Sequence, residues 1–210
     1  MNVMNKWKRI SKLLGLLFAL YLLVPGLIFN HIRPYPLSEK CETHLRTQAL
    51  IQSSAEGISI LPEQCEDNRL TATVIFKPHA AGPPRHFHEH FDEVFEVKQG
   101  VLTLEVDGEM KTILPGQKII VPKGTPHKPS NKTNQEVILQ SQDAMMPCTF
   151  AYGLAELYPI MDAHGIESKQ VLFQLAKMGN GMDTWLADKP LIIQKSLRWI
   201  LGPSIRIFNP

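Results

Sequence analysis

Histidine is concentrated in this chain. His79, His86, His88 and His90 lie within twelve residues, and His127 follows a P-x-G turn made by Pro122 and Gly124. Side chains alternate faces along a strand, so His86 and His88 point the same way. Two imidazoles on one face are a ready pair of metal ligands. Glu93 lies five positions beyond His88, an odd offset, and cannot share that face on one uninterrupted strand. A turn through Glu89–Asp92 must carry it to a second strand, and His127 must arrive on a third. A site fed by several strands needs a closed barrel.

The surrounding sequence supplies such strands. LTATVIF (70–76), EVFEV (93–97), VLTLEV (101–106), MKTIL (110–114), KIIV (118–121) and EVILQ (136–140) are short β-rich runs. Gln99-Gly100, Asp107-Gly108, Pro115-Gly116 and Lys123-Gly124 separate them. Asp-Gly between alternating runs signals a hairpin, because both turn positions need positive φ. Closely spaced short strands imply a sandwich or barrel. Residues 42–56 lack proline and glycine and are read as one short helix. After residue 147 the period changes. FAYGLAELY, SKQVLFQLAKM and PLIIQKSLRWIL read as helices, the last with Ile193, Leu197, Ile200 and Leu201 on one face and ending at Gly202-Pro203.

HFHEHFDEVFEVKQG resembles the first cupin motif, in which H-x-H is followed by four residues, Glu, six residues and Gly. GQKIIVPKGTPHKPSN resembles the second, with Gly116, Pro122, Gly124, His127 and Asn131 in register. The resemblance covers roughly residues 69–142. It departs from the family at one glycine, since Gly82 stands three residues before His86 rather than five. The resemblance implies that His86, His88, Glu93 and His127 bind one divalent transition metal: Fe, Mn, Ni, Cu or Zn. On an octahedral ion two positions would stay open for a small-molecule ligand. His90 becomes a rim or outer residue. Arg85, beside the site, is a candidate receiver of an anionic ligand, although a surface arginine is the plainer reading. Phe87, Phe91 and Phe95 are core residues first and lining residues second.

The expected fold is therefore mainly β. It is a cupin-type jelly-roll β-barrel (57–147) with an N-terminal transmembrane helix (1–32), a linker with a short helix (33–56) and a C-terminal α-helical extension (148–210). Residues 13–29, LLGLLFALYLLVPGLIF, are seventeen apolar or small residues without a charge. That is near the lower limit of about 17 for a membrane span. A cleaved signal peptide competes, but its core is usually about 7–15 residues and a small-residue cleavage site follows it. This run is longer and no such site follows. Lys6, Lys8, Arg9 and Lys12 precede it, which keeps the N-terminus cytoplasmic and the body extracytoplasmic. Setting those four aside, the 22 basic residues fall to 18 against 20 acidic, so the body carries no nucleic-acid footprint. An extracytoplasmic compartment permits a disulfide, with Cys41 and Cys65 the candidate pair and Cys148 a small buried residue. Many cupins pair through edge strands, which makes a homodimer a further expectation.

Two functional classes follow. One is a membrane-anchored metalloenzyme acting on a small molecule, of dioxygenase or isomerase type. The other is a non-catalytic sensor or binding module. The final helical stretch either packs beside the barrel or lies on the membrane with Lys195 and Arg198 toward the headgroups. The anchor reading predicts that a carbonate wash leaves the full chain in the membrane fraction. A mature N-terminus beyond residue 25 would establish the signal-peptide reading instead.

Overall fold

The computed structural model describes residues 3–32 and 38–208; the side chains of 3, 21–23, 25–32, 38–40, 180, 204, 207 and 208 fall outside the description. Helices α1 (Val3–Ile32) and α2 (Ser38–Thr47) precede the strands. These begin with β1 (Ile51–Ser53), β2 (Ile58–Glu66) and β3 (Arg69–Phe76). The middle of the chain forms β4 (His86–Phe87), β5 (Glu93–Gln99), β6 (Leu102–Val106), β7 (Glu109–Ile113), β8 (Lys118–Val121), β9 (His127–Ser130) and β10 (Val137–Gln140). Next come β11 (Met146–Pro147), α3 (Cys148–His164), α4 (Lys169–Met178), β12 (Trp185–Leu186) and α5 (Leu191–Phe208).

Among the described residues the strands make two antiparallel sheets. One runs β1-β2-β3-β10-β5-β8, with β11 also on β3; the other runs β12-β4-β9-β6-β7. The period-two pattern is clear in β3, where Leu70, Ala72, Val74 and Phe76 are buried and alternate with less buried residues. These side chains share one core with Val97, Leu102, Leu104, Val137 and Leu139. Each such burial contributes about 1.5–3 kcal/mol. The fold is thus mainly β with a C-terminal helical part.

Several boundaries differ from the sequence expectations. The helix expected over 42–56 lies at Ser38–Thr47, and Ile51–Ser53 pairs with Ile58–Ile60 as an edge strand. β2 went unrecognised because Pro62 and the polar residues after it hide the Ile58/Ile60 alternation. The register with β3 shifts between Pro62 and Gln64, a position where proline is tolerated. Gly202-Pro203 does not end the last helix, which continues to Phe208. Gly202 instead allows α5 to press on α4: a Cβ there would lie 2.5 Å from the Ala176 carbonyl oxygen.

α5 also turns the opposite way from the amphipathic expectation. Arg198 is buried, while Ile193, Leu197 and Ile200 are exposed. The Arg198 guanidinium donates to the carbonyls of Gly179, Met182 and Thr184 and stacks 4.0 Å from the Trp185 ring centre. It is therefore an inward cross-link and not part of a lipid-facing basic surface. α1 contacts α5. Among the described residues no helix is long and apolar enough to cross a membrane. Positions 21–23 and 25–29 of the expected span lie among the side chains outside the description.

The disulfide joins Cys65 to Cys148, with Cα atoms 6.1 Å apart, and not Cys65 to Cys41. Strand register explains the correction. Cys65 faces Leu70 across the β2–β3 hairpin, and Met146 faces the same Leu70 from β11. The Cys148 amide then donates to the Asn68 carbonyl at the hairpin turn, which sets its thiol beside Cys65. Cys41 is buried where α2 packs against α3 and β2, and burial pushes its thiol up to about 11. Peptide mapping without reduction should recover a 65–148 cross-link. Cys65→Ala should cost about 2–5 kcal/mol by the urea midpoint, and Cys41→Ala much less.

Candidate metal centre

The four expected ligands converge. His86 and His127 are Cα partners across β4 and β9, so strand pairing alone sets them side by side. His88 follows directly after β4, and its carbonyl accepts from the Gly124 amide at 2.6 Å, which ties it to the P-x-G turn before His127. Glu93 opens β5. One ligand atom from each of these four residues lies within 4.8 Å of all the others. Glu93 Oε2 is 2.7 Å from His127 Nε2 and 3.2 Å from His88 Nε2.

Each imidazole is oriented through its other nitrogen. His86 Nδ1 lies 2.9 Å from the Pro84 carbonyl, His127 Nδ1 2.9 Å from the Thr125 carbonyl and His88 Nδ1 2.5 Å from the Asp183 carbonyl. A carbonyl only accepts, so each Nδ1 donates and each Nε2 turns to the centre; with Nδ1 protonated, Nε2 is the atom left to ligate a metal once the proton that His127 and His88 share with Glu93 is displaced. This is the tautomer that metal ligation requires. Burial, with the neighbouring His88 and His127, pushes His86 down to about 3, so its ring is neutral. Burial opposes ionisation of Glu93, but the hydrogen bonds from His127 and His88 outweigh it and hold the carboxyl well below the usual carboxylate range. The same contact raises His127 against its burial. Three oriented imidazoles around one half-buried carboxylate are a donor set that fits a divalent cation. The ion would take up the Glu93 charge that His127 and His88 share here.

The outer residues are distributed differently from expectation. Arg85 Nε lies 2.8 Å from Glu105 Oε1 and its Nη1 3.6 Å from Asp188, so its charge is already paired and does not face a ligand. His90 is a rim residue, exposed, with Nδ1 3.2 Å from Asp183. Phe91 stacks on His88 at 4.1 Å, and Phe150 meets the same ring edge-on at 4.9 Å. Asn131 is 1% exposed and purely structural: it donates to the carbonyls of Lys77 and Gln135 and accepts from Thr133. Gly82, the glycine out of register with the motif, has φ +69, and a Cβ there would lie 1.9 Å from the Pro129 carbonyl oxygen. Its place is set by that approach to β9, not by its distance from His86.

Asp183 is the site residue that the sequence did not reveal. Besides its carbonyl bond to His88, its carboxylate accepts from the amides of Glu89 and His90 and from the Trp185 indole. Nearby, β12 pairs with β4, placing Trp185 opposite Phe87 and Leu186 opposite His86. A lone aspartate ninety-five residues from His88 leaves no local signal.

A cavity of about 150 Å³ opens beside the centre. Its wall includes His86, Glu93, Phe95 and Leu139 from the barrel, and Phe150 and Leu157 from α3. Among the described lining residues there is no lysine or arginine.

A protein named "Probable oxidoreductase patJ", from Aspergillus clavatus, is 38% identical over 77 residues, covering 34% of this chain and 24% of that protein. The chain thus spans about a quarter of the length of that curated relative. KdgF from Halomonas sp. superposes with a TM-score of 0.39 at 24% identity, over 45% of this chain and 84% of that one. A sugar phosphate isomerase from a cupin superfamily, from Silicibacter pomeroyi, gives 0.37 at 25% identity, over 40% and 57%. The family model described as a cupin domain matches residues 72–141, the stretch that holds all four clustered ligands. This chain therefore carries a cupin domain.

Proposed function

We propose that His86, His88, Glu93 and His127 hold one divalent transition metal, and that the chain is a metal-dependent enzyme of oxidoreductase type acting on a small neutral molecule. The observation that carries this reading is the common aim of three Nε2 atoms and one carboxylate beside an apolar cavity. A bound metal would supply a Lewis acid that polarises a ligand oxygen. The chain's own part is to keep the imidazoles in one tautomer, to neutralise the charge with Glu93 and to exclude water with Phe91 and Phe150. The shared stretch with a protein named as an oxidoreductase supports the reaction class. A sugar phosphate is a poorer fit, because apart from the metal the described cavity wall offers no lysine or arginine to a phosphate group. Anchoring in a membrane with the barrel extracytoplasmic belongs to this proposal on the apolar run 13–29 and the basic residues before it.

Elemental analysis should find about one metal per chain. His86→Ala and His127→Ala should lose it, and His90→Ala should keep it. Full retention in both of the first two variants would overturn the ligand assignment. Asp183→Ala keeps the carbonyl that receives His88 Nδ1 but removes the carboxylate that fixes it in place, and should weaken metal affinity about 10-fold. Oxygen uptake by the metal-loaded chain with neutral enediols or catechols should exceed that of His127→Ala by at least ~100-fold. Tight binding of such compounds without turnover would establish the binding-module reading instead.

A further inference from the structure

The cavity beside the imidazoles has a second polar feature, formed by Glu56 and Tyr158. Both are almost fully buried, at 4% and 3% exposure, both line the same cavity, and each shifts the ionisation of the other. Glu56 lies in the turn between β1 and β2, and Tyr158 lies on α3. The pair is held firmly. Asp162, one helical turn beyond Tyr158, accepts from the Ser53 hydroxyl at 3.0 Å and from the amides of Ser54 and Ala55 at 2.8 and 2.9 Å. Ser53 Oγ in turn accepts from the Glu56 amide at 3.1 Å, and the Glu56 carbonyl accepts from the Gly82 amide at 3.1 Å. The turn is thus pinned both to α3 and to the segment leading to His86.

Burial pushes the Glu56 carboxyl up to about 7, with Asp162 adding to the shift and Tyr158 opposing it. Burial and Glu56 raise the Tyr158 phenol far above its usual value. When the Glu56 carboxyl is protonated, it and the phenol carry two donor hydrogens between them, so even a bond between the two would leave one donor and spare acceptor lone pairs. Setting such a pair in an apolar wall costs free energy unless its remaining capacity is met. The rest of the cavity meets little of it, since Ile58, Ile60, Val74, Phe76, Leu154 and Met161 line the same space.

We propose that Glu56 and Tyr158 form a ligand-anchoring subsite that hydrogen-bonds an oxygen of a neutral, ring-sized molecule occupying the cavity that His86 and Glu93 also line. Three features define the ligand class. The cavity volume of about 150 Å³ matches one that admits a benzene-sized guest. The wall is apolar apart from this pair, the two centre residues and Thr184. Apart from a metal at the centre, whose charge Glu93 partly offsets, an anionic ligand would find no lysine or arginine among the described lining residues. The ligand is therefore a phenol, enol, cyclic alcohol or ketone. The proposal rests on the metalloenzyme reading only for what the ligand's other end meets.

The test uses the purified full chain and three fluorinated probes followed by fluorine NMR: 4-fluorophenol, 4-fluorotoluene and 4-fluorobenzoate. The phenol should bind about 10-fold more tightly than its methyl isostere, the effect of one well-placed hydrogen bond, and the benzoate should bind more weakly than the phenol. Glu56→Leu should abolish the preference for phenol over toluene. Glu56→Gln, which keeps a donor and an acceptor, should retain it, and Tyr158→Phe should reduce it. Equal binding of phenol and toluene by the wild type, or an unchanged preference in both Glu56→Leu and Tyr158→Phe, overturns the subsite. If Glu56→Leu fails to fold, Tyr158→Phe alone decides. Metal content of the same samples separates the two readings. A wild type that shows the preference without metal refutes the metal centre and keeps the subsite. A metal-loaded wild type without the preference refutes the subsite and keeps the metal centre.

Discussion

An imidazole can face a metal only if its second nitrogen has somewhere to donate. In this chain each of the three clustered histidines gives its Nδ1–H to a backbone carbonyl, those of Pro84, Thr125 and Asp183. Backbone carbonyls are rigid, and their positions follow from the strands and turns that carry them. The orientation of the centre therefore depends on the backbone of three separate segments, and the rings follow. Glu93 completes the arrangement, its half-buried carboxylate within reach of two Nε2 atoms. Its charge at low exposure is tolerable only while those nitrogens, or a cation they bind, offset it.

The third of those carbonyls does not come from the barrel. Asp183 lies between α4 and β12, and it is held by its own carboxylate bonds to the amides of Glu89 and His90. Arg198 fixes the same segment from α5 by gripping the carbonyls of Met182 and Thr184. Burial pulls that guanidinium down to about 10, which leaves it charged and able to hold several carbonyls at once. The helical extension is thus part of the site. It closes the cavity with α3, adds a strand beside His86 and supplies the outer partner of His88.

The same extension sets the polarity of the cavity. A barrel end open to water would hydrate any ligand, whereas Phe150, Leu154, Leu157 and Met161 replace that water with an apolar wall. In such a wall a hydrogen bond discriminates strongly, because an unsatisfied partner has no water to turn to. Chemistry at the centre and recognition at Glu56 and Tyr158 would then share one apolar cavity.

Much of this was legible in the sequence. The alternation of β3, the Asp107-Gly108 turn and the spacing of His86, His88, Glu93 and His127 are local patterns. Strand geometry converts such patterns directly into facing side chains. The ligand cluster needed only that the strands close, and closure follows from burying their apolar faces. What the sequence could not determine were contacts between segments far apart in the chain. Cys65 meets Cys148 through the shared partner Leu70, a consequence of register, and this displaced the expected pairing with Cys41. Arg85 belongs to Glu105, Arg198 points inward, and Asp183 and Glu56 reach the site from opposite ends of the chain. None of these residues carries a periodic or motif signal, because a single polar side chain acquires its role from what packs around it. Local periodicity marked most of the strands and motif spacing marked the four candidate ligands; only the docking of the helices onto the barrel decided the cavity, its polar end and the outer support of the histidines.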